Sequence, residues 1–179
     1  MKRLALTLVA ALALLAGCGT TSLPEFQAET DSGPVIEVPG RVEIPALGAS
    51  STLMDLHLDE AGALEAPPLD GDPMQAGWYA DGVKPGETGP AVVAAHVNAH
   101  GDPGLFKNLH TLAVGEPVYV DDLTFIVDRV EQYDKDEFPT DAVYSNTERP
   151  ELRLITCGGD FDHSEHSYED NIVVFATLE

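Results

Sequence analysis

The segment Leu152-Arg153-Leu154-Ile155-Thr156-Cys157-Gly158-Gly159 carries the plainest structural signal in the chain. Its run of branched and long apolar residues predicts a β-strand over residues 151–157, relieved by two glycines. Period-two alternation then sets Arg153, Ile155 and Cys157 on one face of that strand. A thiol at a strand's end, beside flexible glycines, is held by the sheet and open to a substrate. A guanidinium on the same face favours the thiolate and is suited to stabilising an oxyanion.

Short apolar runs separated by Pro, Gly and Asp turns flank this segment, and long runs of helical period are absent. Residues 41–44 alternate. Residues 90–97 form a small and β-branched run suited to a strand buried on both faces. Residues 117–120 and 123–130 flank Asp121-Asp122 and read as a hairpin, although that pair is not the favoured turn chemistry. Residues 171–177 supply a last strand, and residues 74–79 and 106–109 read as short helical turns. So many short strands would leave open edges unless closed, which predicts a mainly β fold, a single closed barrel. His96, near the end of the 90–97 run, offers the imidazole that Cys-dependent acyl transfer needs. Spacing alone leaves open a buried structural Cys and a satisfied core His.

Against 31 acidic residues stand only 9 basic ones, a formal charge of −22. That balance excludes a nucleic-acid partner, which needs clustered Lys and Arg, and electrostatic adhesion to anionic lipid. Two cysteines exclude a disulfide scaffold and a four-thiolate zinc site. Lys2 and Arg3 precede an apolar run too short for the roughly 20 residues a spanning helix takes. The run ends in Leu15-Ala16-Gly17-Cys18, which resembles a bacterial lipobox. That resemblance implies a lipoprotein signal peptide over 1–17 and acyl chains on Cys18, enough for durable anchoring. Residues 18–40, rich in Pro and polar residues, suit an extended tether. With Cys18 lipidated, Cys157 has no intramolecular disulfide partner.

The domain expected over 41–179 resembles the sortases, most closely those of class F. The resemblance rests on ordered words: Arg41-Val42-Glu43-Ile44-Pro45-Ala46-Leu47-Gly48, Gly77-Trp78-Tyr79, Lys84-Pro85-Gly86-Glu87-Thr88-Gly89-Pro90 and Ala95-His96-Val97. Phe106-Lys107-Asn108-Leu109, the 152–159 segment and Tyr168-Glu169-Asp170-Asn171 complete them. It implies an eight-stranded β-barrel and a cysteine transpeptidase that cleaves an LPXTG-like C-terminal sorting signal of surface proteins. Cys157 would form a thioacyl-enzyme, and a cell-wall or pilin amine would resolve it. His96 would protonate the leaving amine. Such an enzyme requires no cofactor, works outside the cytoplasm at the outer face of the bacterial membrane, and binds no nucleic acid.

Three positions depart from the family pattern. Ala95 stands for a glycine and Asn98 for an Asp, while Asn171 stands where many sortases carry an arginine on the final strand. Arg153, on the Cys157 face, is therefore expected to act as the catalytic arginine from the neighbouring strand. A zinc site of His96, His100 and Cys157 lacks the usual helical setting. Asp160-Phe161-Asp162 resembles a calcium loop only in its first residues, which leaves weak calcium binding by an acidic surface. Trp78 and Tyr79 are expected in the core, and His163 and His166 in solvent. The competing reading is a non-enzymatic lipid-anchored barrel for binding or adhesion, and a nearer one is a hydrolase using the same groups.

Overall fold

Six strands come first in chain order: β1 (Arg41–Ile44), β2 (Ala49–Leu56), β3 (Ala76–Tyr79), β4 (Gly89–Ala95), β5 (Asn98–Ala99) and β6 (Asp102–Pro103). Then follow β7 (Pro117–Val120), β8 (Leu123–Asp134), the single-turn helix α1 (Thr140–Tyr144), β9 (Pro150–Asp162) and β10 (Ser167–Leu178). The computed structural model describes residues 40–179. The signal segment, Cys18 and the tether up to residue 39 lie outside the described residues. Eight strands close into a barrel in the order β1-β2-β3-β4-β9-β10-β8-β7, and β5–β6 form a small separate ribbon. The mainly β, closed-barrel architecture is the one expected from the sequence.

Alternation divides each long strand between two apolar layers. Inside the barrel, Ala91, Val93, Leu152, Leu154, Phe125 and Val174 pack with Phe106 and Leu109. Outside it, Val92, Ile155, Val173 and Phe175 form a second cluster capped by Val143 of α1. β4 is buried along nearly its whole length because it faces both layers. Trp78 belongs to the interior core and donates its indole N–H to the Val83 carbonyl.

One expected element is corrected. Residues 76–79 are not a helical turn but strand β3, parallel to β2, because Gly77 lets the backbone lie against Leu56; a Cβ there would come within 2.4 Å of its side chain. The turn expected at 106–109 forms, closed by the Leu109 N–H on the Phe106 carbonyl at 3.0 Å, and runs on into a 3-10 turn over Leu109–Thr111. β2 itself escaped the sequence reading. One of its inward positions is Ser51, whose hydroxyl accepts the Ala76 N–H at 3.0 Å, so a polar residue interrupts the apolar alternation. The hairpin over Asp121-Asp122 forms, with Asp121 at φ 50° and its carboxylate accepting the Arg41 N–H at 2.8 Å. That bond ties the turn to β1 in place of a favoured turn dipeptide.

Candidate active site

Cys157 is half-buried and unpaired, on the outer face of β9. The strand does not end there. It continues through Gly158 and Gly159 to Asp162, still paired with β10. What ends is its other neighbour. β4 runs parallel to β9 with Ala94 level with Ile155, and stops at Ala95. Extended by two residues, this register sets His96 level with Cys157 on the same outer face, one inter-strand spacing away, about 4.8 Å between chains. Thr156 pins the two strands at that level by donating its hydroxyl to the Ala95 carbonyl at 2.8 Å.

On the opposite side, Asn171 of β10 is the direct cross-strand partner of Cys157, and Tyr133 of β8 is the partner of Asn171. Directly opposed residues point to the same face. Four neighbouring strands thus present a row, His96–Cys157–Asn171–Tyr133, across the outer surface. Beyond Cys157, Gly159 and Asp160 oppose Glu169 alone, a bulge in which Gly159 takes φ 72°.

The row opens into a cleft of about 750 Å³. His96, Cys157 and Asn171 line it, together with Lys135, Tyr79 and Tyr144. Its far wall is a flap between β2 and β3 whose residues 61–66 reach the cleft. Asp59 folds the flap by accepting the N–H groups of Ala61 and Ala63, each at 2.9 Å. His57 and Glu65 close it with a pair of hydrogen bonds at 2.9 and 3.0 Å. Burial, with Tyr79 beside it, pushes the Tyr144 phenol above its ordinary value, so this hydroxyl stays neutral.

His96 is oriented by the flap. Its Nε2 lies 2.6 Å from the Pro67 carbonyl oxygen. A carbonyl only accepts, so Nε2 carries hydrogen in either charge state, and Nδ1 is the nitrogen whose proton comes and goes. The His96 carbonyl accepts the Phe106 N–H at 3.1 Å, which ties the histidine's backbone to a core residue. Asn98 donates its amide to the Tyr168 hydroxyl at 2.5 Å, so the residue standing for an Asp holds the following loop to β10.

Arg153 shares the Cys157 face as alternation requires, but the structure does not bring its guanidinium to the cleft. Only 2 % exposed, it binds Glu151, two residues toward the strand's start, at 2.6 Å, and lies 4.5 Å from the Phe175 ring centroid. The physical reason is burial. A charge withdrawn from water needs a carboxylate, and the available one lies away from the thiol. Desolvation lowers the Arg153 pKa, opposed by Glu151. In this arrangement the Arg153 guanidinium pairs with Glu151 and not with the thiol beside which it was expected to act.

Other expectations resolve simply. His163 and His166 are exposed. The Asp162 carboxylate accepts the Ser164 N–H and hydroxyl at 2.6 and 2.7 Å, bonds that lower its pKa and use it to build the β9–β10 turn. Among the described residues no cluster of His, Cys, Asp and Glu has a metal-holding arrangement. Sequence reasoning missed Lys135 and the flap as parts of the cleft, and set Asn171 aside for lacking charge. The Asn171 position was recoverable from its even spacing to Val173 and Phe175, which puts the three on one strand face; Lys135 carried no signal of its own.

Comparison with known proteins returns one family throughout. Among solved structures, sortase C1 of Streptococcus agalactiae bound to MTSET superposes with a TM-score of 0.59 at 19% identity, over 78% of this chain and 68% of that one. A lid mutant of sortase A from Corynebacterium diphtheriae gives 0.59 at 21% identity, over 79% and 70%. Sortase A of Listeria monocytogenes gives 0.56 at 18%, over 79% and 86%. At these identities the likeness is one of fold. No curated protein matches the sequence. The sortase domain, however, is matched across residues 42–179, well over half of the chain, and the chain belongs to the sortase family.

Proposed function

We propose that this sortase is a cysteine transpeptidase with Cys157 as nucleophile and His96 as acid and base. The observation that carries the reading is that both side chains line one cleft, His96 directly after β4 and Cys157 on the adjoining β9. The Cys157 thiolate attacks the scissile carbonyl, and the tetrahedral intermediate expels an amine that takes its proton from His96. An incoming amine then gives its proton to His96 and displaces the thiolate. Dividing amide exchange into two thioester steps replaces one difficult displacement by two easier ones.

The proposed substrate is a surface protein with an LPXTG-like C-terminal signal, and the acceptor a cell-wall or pilin amine. A class F assignment rests on the ordered motif words. Lipid on Cys18 would hold the domain at the outer face of the membrane, where a tether raises its effective concentration toward emerging substrates. Incubation of the full-length chain with a fluorescent LPXTG peptide, with and without triglycine, tests the reading. Ligated product that appears with triglycine and vanishes in Cys157→Ala supports it. Cleavage without ligation would mark a hydrolase. An intact peptide and an unmodified thiol would mark the binding module.

A further inference from the structure

Acyl transfer creates an oxyanion beside the attacking sulfur, and a preorganised donor there is commonly the largest electrostatic contribution to catalysis. Arg153 is not that donor, because Glu151 and the Phe175 ring hold it at the other end of the β9 outer face. We propose that Asn171 is the catalytic oxyanion donor, with the Lys135 ammonium supplying the positive charge that an amide lacks. The proposal rests on the acyl-transfer reading above.

Three observations carry it. Asn171 is the direct cross-strand neighbour of Cys157, on the side opposite His96, and lines the same cleft. The sulfur is thus flanked by a proton-transfer group on one strand and an N–H donor on the other. Directly opposed residues of an antiparallel pair have Cβ atoms about 4.5–5.5 Å apart, close enough for the amide to reach an oxygen on the carbon that the sulfur attacks. Lys135 opens the 3-10 turn that follows β8 and lines the same cleft. Among the cleft-lining residues it is the one permanent cation, and its Nζ donates to the Ser167 hydroxyl at 2.9 Å, a neutral partner.

In the step concerned, the Cys157 sulfur forms a bond to the acyl carbon and the carbonyl π pair moves onto oxygen. Asn171 Nδ2 donates to that oxygen while Lys135 lowers its electrostatic energy. Collapse returns the pair, breaks the bond to the leaving group and leaves the thioester. With an amide substrate the departing nitrogen takes the His96 proton; with an activated aryl ester the leaving group departs as the anion.

The test compares two reactions of Cys157 in the full-length chain. Acylation by p-nitrophenyl acetate passes through an oxyanion, whereas alkylation by iodoacetamide does not. Asn171→Ala is expected to slow acylation at least about tenfold and to leave alkylation within about twofold. Asn171→Arg is expected to restore or exceed the original acylation rate. Lys135→Met is expected to slow acylation several-fold, and Lys135→Arg to keep it. Equal loss in both reactions, or Asn171→Ala and Asn171→Arg both acylating at the unaltered rate, overturns the Asn171 assignment alone. Absence of Cys157-dependent acylation in the unaltered chain overturns the acyl-transfer reading, and this assignment with it.

Discussion

His96 is held from three directions, and each hold is a single bond or contact. Pro67 accepts from its ring, Phe106 donates to its carbonyl, and Gly104 crosses so close that a Cβ there would meet the His96 oxygen at 2.1 Å. The obstruction is backbone and cannot rotate away. Gly104→Ala is therefore expected to displace His96 and slow thioacyl formation by an order of magnitude or more, about what a misplaced reacting group costs. Stopped-flow acylation of the variant beside its thermal melt checks this, since a folded but slow protein is the expected result. Arg153 makes the opposite case. Glu151→Ala leaves a buried charge without its carboxylate and is expected to cost about 3–5 kcal/mol. Arg153→Met removes the charge itself, and is expected to keep the rate of Cys157 acylation within about twofold. A large loss of rate in a stable Arg153→Met protein would return the arginine to the chemistry.

At the scale of elements, the flap between β2 and β3 both walls the cleft and holds the His96 imidazole. An ion pair at its root joins His57 to Asp81 at 2.9 Å. The hydrogen bond and charge of Asp81 raise the His57 pKa above 6.5. Stability from a raised histidine is fully present below the unfolded pKa and is lost as pH rises through the folded one. Both side chains are exposed, so the pair contributes little to global stability. Its expected signature is local: an NMR titration places His57 above the ordinary histidine value, and Asp81→Asn brings it back. An unchanged His57 titration in that variant would remove the pair as the flap's anchor. The same elements show how far the chain can be read unaided. β1, β4 and β7 were legible because their apolar alternation or continuous burial is written in the residues themselves. β2 was not, since Ser51 takes an inward position by bonding the Ala76 N–H. β3 was not, since four residues around Gly77 have no helical or strand period of their own and are made a strand by Leu56 beside them. Cys157 and His96 were visible from the motifs, whereas the direction taken by Arg153 depended on which carboxylate its burial would find.

For the whole molecule, barrel closure is what brings the site together: β4, β9 and β10 become neighbours although His96 and Asn171 are far apart in the chain. The interior aromatics hold that closure. Phe125 and Phe106 are fully buried, and Phe125→Ala is expected to cost about 3–5 kcal/mol, read as a lowered urea midpoint with an unchanged slope. A much smaller shift of the urea midpoint would mean that the interior collapses onto the gap. The proposed pairing of Cys157 with His96 is tested by the alkylation rate of the native thiol at neutral pH, with and without the imidazole. An isolated cysteine is only a few per cent thiolate at pH 7, so a neighbouring imidazolium has an order of magnitude of reactivity to confer. Iodoacetamide is expected to modify Cys157 of the full-length chain at least about tenfold faster than Cys157 of His96→Ala. Equal rates in the two folded proteins would show that the sulfur and the imidazole do not act together, and the transpeptidase mechanism built on them would fall.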